Sequence, residues 1–494
     1  MEHYDVVVIG GGPSGYAAAM RAVDFEKKVL LIERDRVGGA GIYDGALSSK
    51  AFWEISREIH SVQRKFQRYR LEVPKIQFGN VLAEVNAAVR ERAIQLTAHM
   101  ELVKAKMNGR FDYAQGRGRL LSANEVRIEG DGGSRTVRAD NIVLATGSRP
   151  RKLPHIPVDE KIIMTSDGIS SLRDFPKSIV VLGAGVIGCE FATIFSNFGT
   201  TKVHLIDKEP RILPFEDEDL ARVVEGNLEA NGALIHRRSK LKSMAIVNGE
   251  VEYVLTYDDG REEVFHVQKA LISVGRVPNS EDLGLKEVGV AMTPSGHLEN
   301  DDTRCNIPNI YGVGDLTADI ALVNVGELEG RHAIEKIYGK PRRNLIYENV
   351  STIMFLNPET AAVGMNELQA QKAGIPYRAA IFDFSCIPRA VAMRRTQGFF
   401  KILVTDDEEK KILGMRALGE HASSAIQAVA LLISMDKGIE ELAELIHPHP
   451  SIIEGIQESV RMLLGKSILK PAVFTEYLKY RRFSDGHYME EGSP

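Results

Sequence analysis

The sequence predicts an α/β fold: two doubly wound parallel-sheet domains followed by a C-terminal α+β domain. Three observations carry this reading. The apolar run Tyr4–Ile9 breaks into Gly10-Gly11-Gly12-Pro13-Ser14-Gly15 and continues as a small-residue helix. The same layout returns mid-chain, where Ser178–Leu182 leads into Gly183-Ala184-Gly185-Val186-Ile187-Gly188. Past Asn349 the pattern changes to alternating strand-like runs that flank helices, which reads as α+β. A fully buried parallel strand appears as a continuous apolar run. Its repetition before a glycine turn implies two domains of one architecture. At 494 residues the chain also exceeds what a single hydrophobic core supports.

Composition narrows the function classes. Apolar residues make up 44% and charged residues 26%, as in an ordinary globular protein. A net charge of -5 gives no basic field, so no nucleic-acid partner is expected. No apolar run approaches the ~18 residues that span a bilayer. The N-terminus enters a strand at once, without a signal-peptide layout. No membrane insertion and a cytoplasmic location are therefore expected. The three cysteines, Cys189, Cys305 and Cys386, form no C-x-x-C pair. That argues against a disulfide framework and against a metal site, and for buried thiols in a reducing compartment.

The remaining elements follow in order. Ser49 to Asn108 looks helical, with apolar residues at helical spacing over Lys50–His60 and Val81–Val103. Its basic cluster, Arg64, Lys65, Arg68 and Arg70, is either a solvated helix face or an interaction patch. Strand-like runs alternate with turns up to Ala145-Thr146-Gly147. In the C-terminal part, Arg378–Asp383, Gly398–Thr405 and Lys411–Leu418 read as strands. Ala422–Asp436 and Ser451–Leu464 read as helices. Pro471–Pro494 is aromatic and charged without a clear period, and is expected to be a surface-bound or disordered tail.

Each glycine turn carries a dinucleotide fingerprint. Gly10 permits the tight turn, Gly12 lets the backbone approach a pyrophosphate, and Gly15 lets the helix pack on the strand. The pyrophosphate belongs at the helix N-terminus, where free N–H groups and the helix dipole favour anions. Glu33 ends the next strand, close to the ~20-residue offset expected of an acid that holds a ribose diol. Gly183, Gly185 and Gly188 repeat the logic, with Asp207 as the acid. A carboxylate there repels a 2′-phosphate and favours NAD over NADP. Lys208 and Arg211 follow directly, either as a solvated loop or as an offset to that repulsion.

The stretch Gly38-Gly39-Ala40-Gly41-Ile42-Tyr43-Asp44-Gly45-Ala46-Leu47-Ser48-Ser49-Lys50 resembles the redox loop of the pyridine nucleotide-disulfide oxidoreductases, class I. That loop reads G-G-T-C-x-x-x-x-C-x-P-S-K, and Gly41 and Ala46 fall on its two cysteines. The resemblance runs from Tyr4 to about Leu464, with the family's motifs in the family's order. The chain is similar to lipoamide dehydrogenase and to soluble pyridine nucleotide transhydrogenase. The resemblance implies FAD and NAD(P)H as cofactors and a homodimer. It implies an FAD-binding domain in two parts, 1–150 and 276–350, around an NAD(P)-binding domain, 151–275. An interface domain, 351–470, and the tail, 471–494, follow.

By resemblance, Gly39, Lys50, Thr146, Gly147 and Asp315 join Gly10, Gly12, Gly15 and Glu33 at FAD. Gly275 joins Gly183, Gly185, Gly188 and Asp207 at NAD(P). Lys50 and Glu190 match an ion pair beside the flavin N5, where arriving hydride builds negative charge. His447-Pro448-His449-Pro450-Ser451-Ile452-Ile453-Glu454 resembles the family's H-x-H-P-T-x-x-E. His449 and Glu454 fall on its base and partner carboxylate, as a catalytic or a purely structural pair. Glycine and alanine can form no thiolate. The expected activity is therefore hydride transfer from NAD(P)H through FAD to a small non-thiol acceptor, a quinone or a second nicotinamide nucleotide. The alternative is a redox-idle lipoamide-dehydrogenase paralogue that acts as a binding or sensing subunit.

Overall fold

The computed structural model describes residues 1–130, 132–341 and 343–491, and the last three residues of the expected tail lie outside them. Two compact units emerge. The first comprises Met1–Ile55, Val73–Phe175 and Leu271–Leu345; the second comprises Ser56–Glu72, Pro176–Ala270 and Ile346–Pro494.

In the first unit a seven-stranded sheet places Phe111–Gln115, Val29–Glu33, Glu2–Ile9 and Gly133–Leu144 side by side in parallel. Ile310–Gly312 adds a further parallel strand beside Gly133–Leu144. The continuous apolar run of the first strand has a simple cause. Val7 and Ile9 enter one core cluster while Val6 and Val8 enter another, so both faces of the sheet are covered. The helix Pro13–Asp24 packs on one face, and the helix Val323–Tyr338 packs against it. This contact requires Gly330, because a Cβ there would collide with the Ser14 carbonyl.

The helical stretch after Ser49 proves to be two helices, Ala46–Arg68 and Phe78–Lys106. The chain breaks between them at Arg70, in the left-handed region, and Pro74.

The second unit repeats the doubly wound pattern. Leu234–His236, Lys202–Ile206, Ser178–Leu182 and Lys269–Ile272 lie in that order. A three-stranded antiparallel meander, Ser239–Val247, Glu250–Tyr257 and Glu262–Val267, is inserted before the last strand. A seven-stranded antiparallel sheet follows, backed by the helices Gln427–Ser434 and Glu454–Leu463. Phe382, Phe400, Ile402, Val429, Ile456 and Val460 fill its core.

The C-terminal stretch departs from expectation. Leu478–Ser484 and His487–Glu491 form a hairpin that extends the antiparallel sheet, with Leu478–Ser484 paired to Tyr377–Asp383. The alternation of Leu478 and Tyr480, both buried, is interrupted in the sequence by Arg481 and Arg482. Arg481 nevertheless turns inward and pairs with Asp219 at 2.8 Å and Glu367 at 2.7 Å. A charged residue thus occupies an inward position, and that hid the strand period.

The same acids surround Lys401, which is fully buried. Its ammonium donates to Asp217 at 3.0 Å, Asp219 at 2.7 Å and Glu367 at 2.6 Å. Burial alone would discharge the amine, and the three carboxylates outweigh it and hold its pKa up. Replacing Lys401 with methionine would leave buried carboxylates uncompensated. The expected cost is about 3–5 kcal/mol, read as a fall in the urea midpoint. An unchanged midpoint would show that the ammonium is not what holds these acids.

Candidate active site

The first fingerprint builds an anion cradle. Gly12 caps the helix Pro13–Asp24 with extended backbone and no side-chain cap, so no side chain competes for the first-turn amides. A Cβ at Gly12 would meet nothing within 4 Å, so the space above the helix start is open. Gly15 has the opposite surroundings, and a Cβ there would collide with the Gly10 carbonyl. Glu33 accepts from the Gly11 amide at 2.6 Å and from the Asp35 amide at 2.8 Å.

The second fingerprint repeats the open helix start and the two amide bonds to the acid. Gly185 caps the helix Val186–Phe198, again with nothing within 4 Å of a Cβ. Asp207 accepts from the Ala184 amide at 2.7 Å and from the Glu209 amide at 3.0 Å. Gly188 is buried at the start of the same helix. Arg211 donates to the carbonyls of Leu213, Pro214 and Glu216.

The other expected residues have definite surroundings. Asp315 sits in the short helical turn Gly314–Leu316 and accepts from the Ser148 hydroxyl at 2.6 Å. Arg276 in turn donates to that hydroxyl at 2.7 Å. Thr146 and Asn279 exchange side-chain to backbone hydrogen bonds across Gly147. Gly275 belongs to the first unit, where its carbonyl accepts from the Arg151 amide. Gly39 begins the short helix Gly39–Ile42, and Lys50 is half-buried on the helix Ala46–Arg68.

In the second unit Glu190 is only 5% exposed and accepts from the Phe355 amide at 3.0 Å. His449 is exposed, and its Nδ1 lies 2.7 Å from Glu454 Oε1, while the Ser451 amide donates to the other oxygen at 2.8 Å. Partial burial would raise the Glu454 carboxyl. The Ser451 amide and the His449 ring outweigh it and hold the carboxyl below the usual range.

Several supporting residues escaped the sequence reading. Ser148 and Arg276 flank Asp315, and Glu329, 1% exposed, accepts from the Gly314 amide at 2.6 Å. The Phe355 contact is made by backbone, so no residue type could have signalled it.

The loop Gly38–Lys50 contains no cysteine. A Cβ at Gly41 would approach Pro13 Cγ to 2.5 Å, inside contact distance of a rigid ring. Arg36 pairs with Asp44 at 3.2 Å and lies 3.9 Å from the centre of the Tyr43 ring.

The family models of known proteins agree with this architecture. Residues 4–330 match the pyridine nucleotide-disulphide oxidoreductases, and residues 350–460 match the dimerisation domain of that family. The chain belongs to this family.

It is 32% identical to dihydrolipoyl dehydrogenase 1 of Arabidopsis thaliana mitochondria, over 94% of this chain and 91% of that one. It is 32% identical to the dihydrolipoyl dehydrogenase of Bacillus subtilis, over 94% and 97%. Among solved structures, LpdA of Mycobacterium tuberculosis superimposes with a TM-score of 0.85 at 26% identity, covering 94% of this chain and all of that one. The Escherichia coli flavoprotein disulfide reductase RclA, at 23% identity and a TM-score of 0.83, shares the fold.

Members of the family are oxidoreductases that use FAD as cofactor and NAD(P)H as substrate. The open cradle at Gly12 and the anchored Glu33 fit FAD in the first unit. The dimerisation-domain match supports a homodimer. No described helix is long and apolar enough to cross a membrane.

The two cradles can be separated by experiment. Gly12→Leu should fill the first and yield protein without flavin, read from the ratio of flavin to protein absorbance. Gly185→Leu should keep the flavin and lose nucleotide binding. Full flavin occupancy in Gly12→Leu would count against the assignment.

Proposed function

We propose that this chain moves hydride from NAD(P)H through FAD to a non-thiol acceptor of the quinone or nicotinamide type, with no disulfide reductase activity. The observation that carries the reading is the loop Gly38–Lys50. Both positions matched to redox cysteines lack sulfur, and Gly41 has no room for a side chain beside Pro13. The three cysteines elsewhere do not replace them. Burial pushes the Cys189 thiol far up, Cys305 to about 12 and Cys386 to about 11, so none favours a thiolate.

The residues divide the work as follows. Residues 1–150 and 276–350 hold FAD, 151–275 hold the nicotinamide nucleotide, and 351–470 make the subunit interface. The helix starts at Gly12 and Gly185 bind the pyrophosphates, and Glu33 and Asp207 bind the ribose diols. Asp315 takes the ribitol side, with Ser148 and Arg276 orienting it. FAD, when bound, supplies the two-electron acceptor for hydride. Lys50 supplies positive charge where negative charge grows, and the Phe355 amide fixes one oxygen of Glu190.

A quinone takes two electrons and two protons, and hydride brings both electrons with one proton. His449 brings the second proton. Glu454, ionised, holds Nδ1–H, which leaves Nε2 as the atom that carries and releases the proton. In the family's dimer this segment serves the partner subunit's site, so we assign His449 and Glu454 to the second chain's flavin.

Asp207, with Arg211 committed to backbone carbonyls, favours NADH over NADPH. An idle paralogue would have no need of Lys50, Glu190 and Asp315 together.

Anaerobic NADH should bleach the flavin, and a soluble quinone should restore it. Dihydrolipoamide should be oxidised at a negligible rate, and a rate like that with quinone would overturn the reading. His449→Ala should slow quinone reduction at neutral pH by ~10²–10⁴-fold while leaving flavin reduction by NADH unchanged. If neither half-reaction changes, the pair with Glu454 is structural.

A further inference from the structure

Four cations follow the two strand ends around Asp207: Lys208, Arg211, Arg237 and Arg238. Two of them are committed to other partners, and a third, Lys208, is an exposed surface charge. The Arg211 guanidinium holds three backbone carbonyls at 2.9, 3.1 and 2.6 Å. Arg237 is shared between Glu225 at 2.6 Å and Glu229 at 2.5 Å. Lys208 is 73% exposed, with Glu209 at 3.8 Å.

Arg238 differs. It is exposed, and among the described residues no hydrogen bond or ion pair holds its guanidinium. Its backbone, by contrast, is fixed. The Arg238 amide donates to the Glu209 carbonyl at 3.1 Å, and the Ser239 amide donates to the Asp207 carbonyl at 3.1 Å. These two bonds fasten Arg238 alongside the segment 207–209 that carries the ribose acid. They also hold it at φ 49°, in the left-handed region that a long side chain rarely occupies.

We propose that Arg238 is the residue that lets this site accept a 2′-phosphate, and so sets how much NADPH the chain uses beside NADH. The inference rests on the nucleotide reading of the second fingerprint. Asp207 is anchored by two amides, which suits a ribose diol and opposes a phosphate in the same place. A 2′-phosphate is tolerated only where a free cation offsets that repulsion. A guanidinium matches phosphate oxygens in pairs, and this one breaks no existing contact to do so. Recruiting Arg211 would strip three carbonyls, and recruiting Arg237 would leave two carboxylates unpaired. The same residue would decide whether one site serves both nucleotides, which transfer between NADPH and NAD requires.

The test compares 2′,5′-ADP with 5′-AMP, two probes that differ by the phosphate in question. Calorimetric titration of the flavin-loaded protein needs no turnover. Arg238→Ala should weaken 2′,5′-ADP about tenfold, the worth of one charge-assisted contact, and leave 5′-AMP unchanged. Arg238→Lys should recover part of the loss, because lysine keeps the charge without the paired geometry. Lys208→Ala should change the ratio of the two affinities less than Arg238→Ala does. In turnover, the ratio of kcat/KM for NADPH to that for NADH should fall with Arg238→Ala. An unchanged ratio of the two affinities, or equal weakening of both probes, would overturn the assignment of Arg238 alone. Failure of the wild type to bind 5′-AMP would instead bring down the nucleotide site, and the assignment with it.

Discussion

One hydrogen bond, made twice, anchors the chemistry of this molecule: a loop amide to the carboxylate at the end of the neighbouring strand. Gly11 to Glu33 and Ala184 to Asp207 are the two copies, at 2.6 and 2.7 Å. Strand register makes them possible. Ile9 pairs with Ile32 and Leu182 with Ile206, so each acid leaves its strand directly beside the glycine loop of the first. The amide two residues beyond each acid binds its other oxygen. A carboxylate fixed in this way loses little freedom when a ribose arrives, which is the economy of a preorganised site. The rest of the loop must then stay out of the way. Gly12 and Gly185 present no side chain above the helix starts, where the proposed reading puts the pyrophosphates.

A second constraint concerns charge inside the protein. Glu190, Glu329 and Lys401 are all buried, and an unpaired buried charge is costly. The fold meets this in two ways. Glu190 and Glu329 each take a backbone amide, from Phe355 and Gly314. Those bonds orient one oxygen of each acid. Lys401 takes three carboxylates instead, and Arg481 of the last hairpin adds a second cation to the same acids. Glu367 joins both cations, so the C-terminal hairpin and the antiparallel sheet are tied by ion pairs as well as by the backbone ladder.

Legibility in the sequence followed the same physics. The two parallel sheets were readable because strands buried on both faces leave continuous apolar runs. The fingerprints were readable because Gly10 and Gly183 take positive φ and Gly15 leaves no room for a Cβ. The antiparallel strands Tyr377–Asp383, Phe399–Thr405 and Ile412–Leu418 fall within a residue or so of their expected bounds. The final hairpin was missed because its inward Arg481 reads as a surface residue until its acids, distant in sequence, are seen around it. The meander Ser239–Val267 was missed because its strands are half-exposed and the first is broken by a bulge near Ser243. The helix break near Arg70 was missed because the segments on both sides carry helical spacing. Within the site, the pairing of His449 with Glu454 was foreseen from its motif, whereas the Ser148 and Arg276 contacts around Asp315 and the amide from Phe355 to Glu190 were not.

The loop at Gly41 poses a question of geometry as much as of composition. Losing two cysteines could be a matter of two substitutions in a loop otherwise ready for thiols. The surroundings argue against that. At Gly41, one of the two matched positions, the Cβ direction is blocked by the Pro13 ring. A cysteine at position 41 would require the backbone to move against the first fingerprint, of which Pro13 is the opening helical residue. On the proposed reading, a thiol at position 41 takes more than one substitution. The pair of His449 and Glu454 gains a different meaning in that setting. With no cysteine in the loop, we read the histidine, paired through Nδ1 with Glu454, as serving an acceptor that takes up a proton as it is reduced. On the proposed reading, this favours a quinone-like acceptor over a second nicotinamide, which takes hydride alone.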